Sequence, residues 1–159
     1  MTDHNDDTPP VTGEGEQKPT GEVTLSGIGV PPYSARGASQ TLEPIQASQQ
    51  LRRTINGELI DISRAEFRKY RSTISCVDQQ PPAVDGVWPG QVLMVGCISE
   101  LSYRTAGGAP ARPVVAGSSR TEGDYTSYRP SLTMRVVSFS QDTDEYGAEV
   151  SWSLQLEEV

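Results

Sequence analysis

The stretch SLTMRVVSFSQDTDEYGAEVSWSLQLEEV, residues 131–159, decides the fold class of this chain. Apolar and polar residues alternate in both of its halves, and the segment QDTDEYG between them is rich in turn-forming residues. A period of two places the apolar side chains on one face of a strand and leaves the other face to solvent. The stretch therefore predicts an antiparallel hairpin whose buried face is formed by Leu132, Met134, Val136, Ala148, Val150, Trp152, Leu154 and Leu156.

A second hairpin is predicted by the dipeptide Asn56-Gly57. The flanking segments QLRRTI and ELIDI read as strands, and both residues tolerate the positive φ angles that the two central positions of a type I′ turn require. Shortly after it, Ser63 and Glu66 have the spacing of a helix capping box, which predicts a helical turn. From Tyr70 the alternation of a strand returns and is expected to bury Ile74.

Further strand-like runs complete the prediction of the fold. QVLMVGCISELSY, residues 91–103, is the most apolar run and is expected to be the central strand, with Val95 in the core. QTLEPIQ is expected at a sheet edge, because Pro44 cannot donate a ladder hydrogen bond. Six to eight strands in meander order, together with 15 Gly and 12 Pro, predict an all-β domain, either an antiparallel β-sandwich or a small barrel.

The formal net charge of −8 is distributed unevenly. Residues 1–22 carry six acidic side chains against Lys18, a net charge of −5, so residues 23–159 carry only −3. The first segment has almost no large apolar residue and is expected to be a disordered acidic N-terminal arm. Residues 23–159 are expected to form a single β domain. A domain without net positive charge is an unfavourable binder of nucleic acid.

The chain lacks the residues that common catalytic and cofactor sites need. Its single histidine, His4, lies in the acidic arm, so no Ser-His-Asp or Cys-His arrangement can be held in a pocket. The sequence contains no Gly-rich phosphate loop and no Cys/His cluster for zinc. We therefore predict a protein without enzymatic activity and without a cofactor.

Two groups of carboxylates are the remaining candidates for site chemistry. Asp142, Asp144 and Glu145 lie in the predicted turn and have oxygen ligands for Ca²⁺, although their spacing is not that of an EF-hand loop. The alternative is a solvated acidic turn. Asp78 and Asp85 flank a proline-rich loop and are candidates for a glycosidase-like pair, but nothing in the sequence places them across a cleft.

The cysteines and the hydropathy bear on the compartment. Cys76 and Cys97 lie in strand-like runs, and we expect buried reduced thiols, with a cross-strand disulfide as the alternative. No apolar run approaches the roughly 20 residues of a membrane span, and residues 1–22 have neither the basic nor the apolar region of a secretory signal. These features predict synthesis in a cytoplasm and no membrane partner.

A basic stretch at residues 52–71 is the candidate contact surface. Arginine outnumbers lysine in it, as is common where planar contacts to carboxylates are made in protein interfaces. Three interpretations stay open: a solvated strand face with internal ion pairs, a protein–protein contact that takes the acidic arm of a neighbouring copy, and a nucleic-acid surface. The candidate interface residues are Arg52, Arg53, Arg64, Arg68, Lys69 and Arg71.

Several segments of the chain resemble small structural proteins encoded in the morphogenesis modules of tailed bacteriophages: GVPPYSARGASQTLEPI, LRRTINGELIDIS, FRKYRSTISC, DGVWPGQ and YRPSLTMRVVSFSQDTDEYGAEVSWSLQLEEV. The similarity covers residues 25–159. It implies a non-enzymatic virion subunit of the tail, baseplate or neck that is assembled in many copies in the host cytoplasm and contacts copies of itself and other virion proteins. Capsid decoration is the first alternative. A carbohydrate- or ligand-binding β-sandwich is the second, with Trp88, Tyr103, Tyr125 and Tyr128 as a stacking surface.

Overall fold

Eleven β-strands and one 3-10 turn form the regular structure of the residues that the computed structural model describes, which are 23–26, 34–46, 50–145, 147 and 149–159. The prediction of an all-β antiparallel domain is confirmed, whereas the acidic arm at residues 1–22 lies outside the described residues. The 3-10 turn is Ala65–Phe67. The strands are β1 Thr24–Leu25, β2 Ser39–Pro44, β3 Leu51–Arg53, β4 Leu59–Asp61, β5 Tyr70–Asp78, β6 Val92–Gly96, β7 Leu101–Arg104, β8 Arg120–Glu122, β9 Tyr125–Tyr128, β10 Ser131–Thr143 and β11 Val150–Glu158.

The main sheet has six antiparallel strands in the order β1-β6-β10-β11-β5-β2. The long strands β10 and β11 lie at its centre. The prediction that the apolar run at 91–103 forms the central strand is wrong. The part of this run in the main sheet is β6, which lies next to the edge and has only the two described residues of β1 beyond it. The predicted meander order is also wrong for this sheet, since only β10 and β11 are neighbours both in sequence and in space. Strand β2 lies at an edge, as Pro44 predicts,.

The main sheet curls into a half-barrel, and Gln40 of the edge strand β2 links its two ends. The Gln40 Nε2 group donates to Ser72 Oγ of the neighbouring β5 at 2.8 Å. The backbone N–H of Ile98, just after β6 near the other edge, donates to Gln40 Oε1 at 2.7 Å. One side-chain amide thus connects both ends of the curled sheet on its inner side, where an unpaired polar group would be costly.

The inner face of the main sheet is the core that the sequence predicts. Alternate residues of β5, β6, β10 and β11 are buried, whereas Ala148 of the predicted face lies outside the described residues. Cys76 and Cys97 are both free and buried, and burial raises the pKa of each thiol above its ordinary value,. The expected core residues are all buried: Ile74, Val95, Leu132, Met134, Val136, Val150, Trp152, Leu154 and Leu156.

A β-bulge between Val136 and Ser138 shifts the pairing of β10 with β11 by one residue. Because side chains alternate along a strand, the shift exchanges the two faces of β10 beyond the bulge. Ser140 therefore lies on the outer face, opposite Ser153 of β11. Ser75 of β5 and Ser39 of β2 continue the same row, and their hydroxyl oxygens are 2.9 Å apart. The outer face thus carries a row of serines across four strands.

After residue 96 the chain leaves the main sheet and returns to it with β10. Between these points it forms a three-stranded antiparallel sheet in the order β7-β9-β8. The run at 91–103, predicted as one strand, is therefore divided between two sheets. Within residues 105–119, all of which are described, the only strand-like pairing is the single bridge between Val114 and Pro130. Between β7 and β8 the chain is therefore a long connection without regular strand pairing.

The buried carboxylate of Asp78 ties the segment 34–38 to the end of β5. The Arg36 backbone N–H donates to Asp78 Oδ2 at 2.8 Å, and Arg36 Nη2 donates to Oδ1 at 2.9 Å. These bonds with Arg36 lower the pKa of Asp78 from its ordinary 3.8 to about 2, against the opposing effect of burial. A carboxylate held in this way stays ionised, which suits a structural tie better than a general acid.

We expect the Asp78 tie to make the stability of the fold fall in acid. Because the pKa of Asp78 is about 2 in the folded chain and 3.8 ordinarily, the unfolded chain takes up the proton at higher pH. The stabilising contribution is present above about pH 5 and is lost as the pH falls from about 4 towards 2. Thermal melts at decreasing pH should show the melting temperatures of the wild type and Asp78→Asn converging. A difference that stays constant would contradict this role.

Candidate interaction surface

The β3–β4 hairpin forms a two-stranded sheet of its own, and its turn differs from the predicted one. The Gly57 N–H donates to Thr54 O at 2.9 Å, and the Thr54 N–H donates to Glu58 O at 2.8 Å. The central turn residues are therefore Ile55 and Asn56, and Gly57 follows them with φ of 83°. This is a turn followed by a glycine bulge rather than the type I′ turn expected for Asn56-Gly57. It places an isoleucine at the tip.

Apolar side chains are unusually exposed in the hairpin and in the 3-10 turn that follows it. All residues of β3 and β4 are exposed, and Ile55 at the tip is fully exposed. A two-stranded hairpin has no second layer of its own to cover its apolar side chains. A concentration of exposed large apolar residues is typical of an interaction site. The exposed set is Leu51, Ile55, Leu59, Ile60, Ile62 and Phe67, and we call residues 50–69 the hairpin module.

The structure divides the six candidate interface residues between two places. Five of them belong to the hairpin module, whereas Arg71 lies on the outer face of β5. There Arg71 donates to Glu157 Oε1, with Nη2 at 2.7 Å, and its Nη1 lies 3.7 Å from Glu43 Oε1. These contacts, first among them the bond to Glu157, raise the pKa of Arg71. Arg71 is thus engaged within the chain, as one of the open interpretations expected.

The five basic residues of the hairpin module differ in their contacts. Arg53 Nη1 donates to Gly57 O at 3.0 Å, which holds its guanidinium beside the turn. Arg68 Nη2 lies 3.5 Å from Asp61 Oδ2, and Lys69 Nζ donates to the backbone oxygen of Val159 at 2.8 Å. Among the described residues, the side chains of Arg52 and Arg64 have no hydrogen-bond or ion-pair partner. These two guanidinium groups are available for an outside contact.

The predicted capping box at Ser63 is wrong. The 3-10 turn is preceded by Arg64 in an extended conformation, and no side chain caps it. The Ser63 N–H instead donates to Asp61 Oδ1 at 2.9 Å, and the bonds with Ser63 are the main cause of a lowered pKa at Asp61. The chain is thus fixed at the end of β4 by a local carboxylate turn, as Asp commonly provides.

Two grooves flank the base of the hairpin module. One, of ≈ 450 Å³, has an apolar lining of Ile45, Ile62 and Phe67. The other, of ≈ 500 Å³, lies between Leu51 and Tyr70. Both have basic groups at their rims, so the module combines apolar recesses with positive charge. This combination suits a protein partner with carboxylates around an apolar centre.

Arg112 anchors the hairpin module to the main sheet, a role that the sequence analysis did not predict. Its Nη2 donates to Arg68 O at 2.6 Å, its Nε lies 2.8 Å from Glu158 Oε1, and its guanidinium stacks 5.4 Å from the centroid of the Tyr70 ring. The Tyr70 N–H also donates to Glu158 Oε2 at 2.9 Å. Arg112 lies in a Gly- and Pro-rich connection where no periodicity marks it, so the sequence held no signal for this role.

The aromatic residues proposed as a stacking surface are not equally accessible. Tyr128 is only 2% exposed and packs edge-on against Tyr103, with ring centroids 5.9 Å apart. Trp88 and Tyr125 are 73% and 58% exposed, in the loop before β6 and in β9 respectively. Stacking on a sugar needs a free ring face, so Tyr128 is not available to this alternative.

The acidic end of the β10–β11 hairpin forms a shallow groove of ≈ 320 Å³. Val77 contributes an apolar surface to it, and Asp142, Asp144 and Glu149 contribute carboxylates. Within the described ranges, no group of three or more His, Cys, Asp or Glu side chains has a metal-binding arrangement. In the same ranges, none of the three carboxylates has an ion-pair partner.

The chain was compared with protein-family models, with curated proteins and with solved structures, and none of these comparisons gave a match. Among the residues that the structure describes, no helix has the length and hydropathy needed to cross a membrane.

Proposed function

We propose that this chain is a non-enzymatic structural subunit of a tailed-bacteriophage particle, located in the tail, baseplate or neck and present in many copies. It acts through protein–protein contacts made by the hairpin module, with copies of itself and other virion proteins as partners. The observation that carries the proposal is the exposed apolar and basic surface of residues 50–69. The resemblance of residues 25–159 to phage morphogenesis proteins is the reason for proposing a phage particle as the assembly.

The exposure of the hairpin module favours a contact role on energetic grounds. Each large apolar side chain left in water forgoes about 1.5–3 kcal/mol relative to full burial. Six such side chains in one short segment are unfavourable for a lone domain and favourable for one that acquires a partner. The guanidinium groups of Arg52 and Arg64, which have no partner among the described residues, add the capacity for charge-assisted bonds to carboxylates.

The chemistry of the described residues supports a role without catalysis. The Asp78 carboxylate forms an ion pair with Arg36, so one of the two residues of the candidate glycosidase-like pair has a structural role. Burial raises the pKa of both cysteine thiols, and the thiol form is a poor nucleophile,. These observations favour contact rather than reaction as the function.

Capsid decoration remains the alternative within the same class, since it would use the same contact surface at another station of the particle. Purified particles that are labelled with an antibody to this chain and imaged in negative stain separate the possibilities. We expect label at the tail, baseplate or neck. Label over the shell would move the subunit to the capsid, and particles free of both label and chain would contradict a virion role.

A further inference from the structure

We propose that the β3–β4 hairpin of one copy binds the acidic groove at the β10–β11 end of a second copy, head to tail. This inference rests on the proposed function and deepens it by naming the partner and both contact surfaces. The donor surface is the tip Ile55 with Arg52 and Arg53. The acceptor surface is Val77 with the carboxylates around it.

The two surfaces lie at opposite ends of the same strands. Strand β5 leaves the hairpin module at Tyr70 and ends at Asp78, and β11 pairs with it in the opposite direction, with Val150 opposite Asp78. A strand of nine residues spans roughly 30 Å, so the two surfaces of one copy are too far apart to meet within that copy. Two copies placed end to end along the strands bring them together.

The acceptor groove has an apolar floor and a negative rim. Val77 is 59% exposed although it lies on a strand of the main sheet. Residues 142–149 contain four carboxylates and no basic residue. The groove continues onto the serine row of the outer face through a recess of ≈ 530 Å³ that shares Val77, Asp142 and Ser151. A neighbouring hairpin therefore has room along the sheet as well as at its end.

The hairpin tip has the complementary pattern. Ile55 is fully exposed, and its contact with Val77 would remove both aliphatic groups from water. Arg53 is held beside the turn by its bond to Gly57 O at 3.0 Å, and Arg52 is next to it without a partner among the described residues. Because neighbours on a strand project from opposite faces, the two guanidinium groups lie on either side of the hairpin. Each would pair with carboxylates on its own side of the groove, a pairing that favours bidentate bonds.

A contact between two different surfaces is heterologous, so each copy keeps one free hairpin and one free groove for the next copy. Such contacts build a ring if the rotation closes and a filament if it does not. The rival occupant of the hairpin is the segment 1–22, whose net charge of −5 is also complementary to arginine.

Two single substitutions test the head-to-tail contact. Ile55→Asp places a carboxylate at the hairpin tip, and Val77→Asp places one in the groove. Both positions are exposed, so the melting temperature should hold, and Val92→Asp is the matched control at another exposed strand valine of the main sheet. Sedimentation velocity at low salt should show that each variant loses about tenfold or more in self-association constant, as truncations at interface centres do, while the control matches the wild type.

Mixing the two variants gives the sharpest readout. The intact hairpin of Val77→Asp fits the intact groove of Ile55→Asp, and the two altered surfaces repel each other. A 1:1 mixture should therefore form dimers and stop at two, and association should weaken as salt rises because the charges are exposed.

Four results would overturn the inference: a wild type that stays monomeric, a mixture that stays monomeric, normal association of Val77→Asp, or loss of association on deletion of residues 1–22 alone. The last two would point to another acceptor or to the arm. Failure of the proposed function is distinguishable, because head-to-tail dimers with no chain in particles contradict only the virion role. Particles that take up Val77→Asp as well as the wild type contradict only this contact.

Discussion

Trp152→Ala should lower the free energy of unfolding by about 3–5 kcal/mol, the usual cost of removing a large aromatic side chain from a core. Trp152 lies on the central strand β11 and is 6% exposed among the buried residues of the main sheet. Its Nε1 group donates to the backbone oxygen of Ser34 at 2.8 Å. The substitution would therefore leave a cavity and also remove one of the bonds that hold the segment 34–38 on the sheet, while the Asp78 tie would remain.

Ser153→Ala is the matched control for Trp152→Ala, because neighbouring residues of a strand face opposite sides. Ser153 lies on the outer face, and its substitution should change the free energy of unfolding by no more than about 0.5 kcal/mol. Urea denaturation of the two variants measures both values. Similar effects, or a larger effect at Ser153, would show that the buried face of β11 has been assigned to the wrong side.

Arg112→Ala is expected to have the second largest effect on stability, about 2–3 kcal/mol. The Glu158 side chain is only 10% exposed and lies 2.8 Å from Arg112 Nε, so removal of the guanidinium leaves a partly buried carboxylate with less compensation. The bond from Arg112 to Arg68 O at 2.6 Å would also be lost. The hairpin module should then be held less firmly against the main sheet.

Arg112→Lys should recover only part of this loss, because an ammonium group cannot contact Glu158, the Arg68 carbonyl and the Tyr70 ring together. Arg104→Ala is the control, since Arg104 is exposed on β7 and its side chain makes no hydrogen bond or ion pair with the described residues. Urea denaturation gives the stabilities, and limited proteolysis within residues 50–69 reports on the module. Wild-type stability of Arg112→Ala would contradict the anchoring role.

The core could be predicted from the sequence because its signal is local. Leu132, Met134 and Val136 alternate with polar residues, and so do Trp152 and Leu156, so a period of two was enough to assign the buried face. The same pattern does not fix the order of strands. The run at 91–103 is the most apolar, yet the longest hairpin, β10–β11, lies at the centre of the sheet. Strand length and the pairing of both strand edges determine the central position, and neither is visible in the apolar pattern.

The bulge at Val137 could not be predicted, since consecutive valines fit either face of a strand. The turn at Asn56-Gly57 was predicted as a hairpin but in the wrong class, because Gly57 supplies positive φ equally well in a bulge as in a type I′ turn. The exposure of the hairpin module depends on how the whole chain folds. Its composition, with Leu51, Ile55 and Leu59 among arginines, reads equally well as a strand pair inside the domain.

The sequence thus indicated which part of the chain to consider as a contact surface, but not that its apolar side chains are exposed. The arginines were the reason for selecting residues 52–71 as a candidate surface. The apolar side chains between them are expected to contribute most of the contact energy. Arg71 belongs to the sheet surface, where Glu157 pairs with it across the strands. Arg112, which supports the module from a distant part of the sequence, could be found only in three dimensions.

Hydrogen exchange of the backbone amides of residues 51–61, in the free chain and in purified particles, tests the contact role of the hairpin most directly. In the free chain these amides should exchange fast, because β3 and β4 are exposed and pair only with each other among the described residues. In the particle they should exchange at least about tenfold more slowly, while the amides of the central strands β10 and β11, already protected, provide the reference. Equal exchange of the hairpin in both states would contradict its role as the assembly contact.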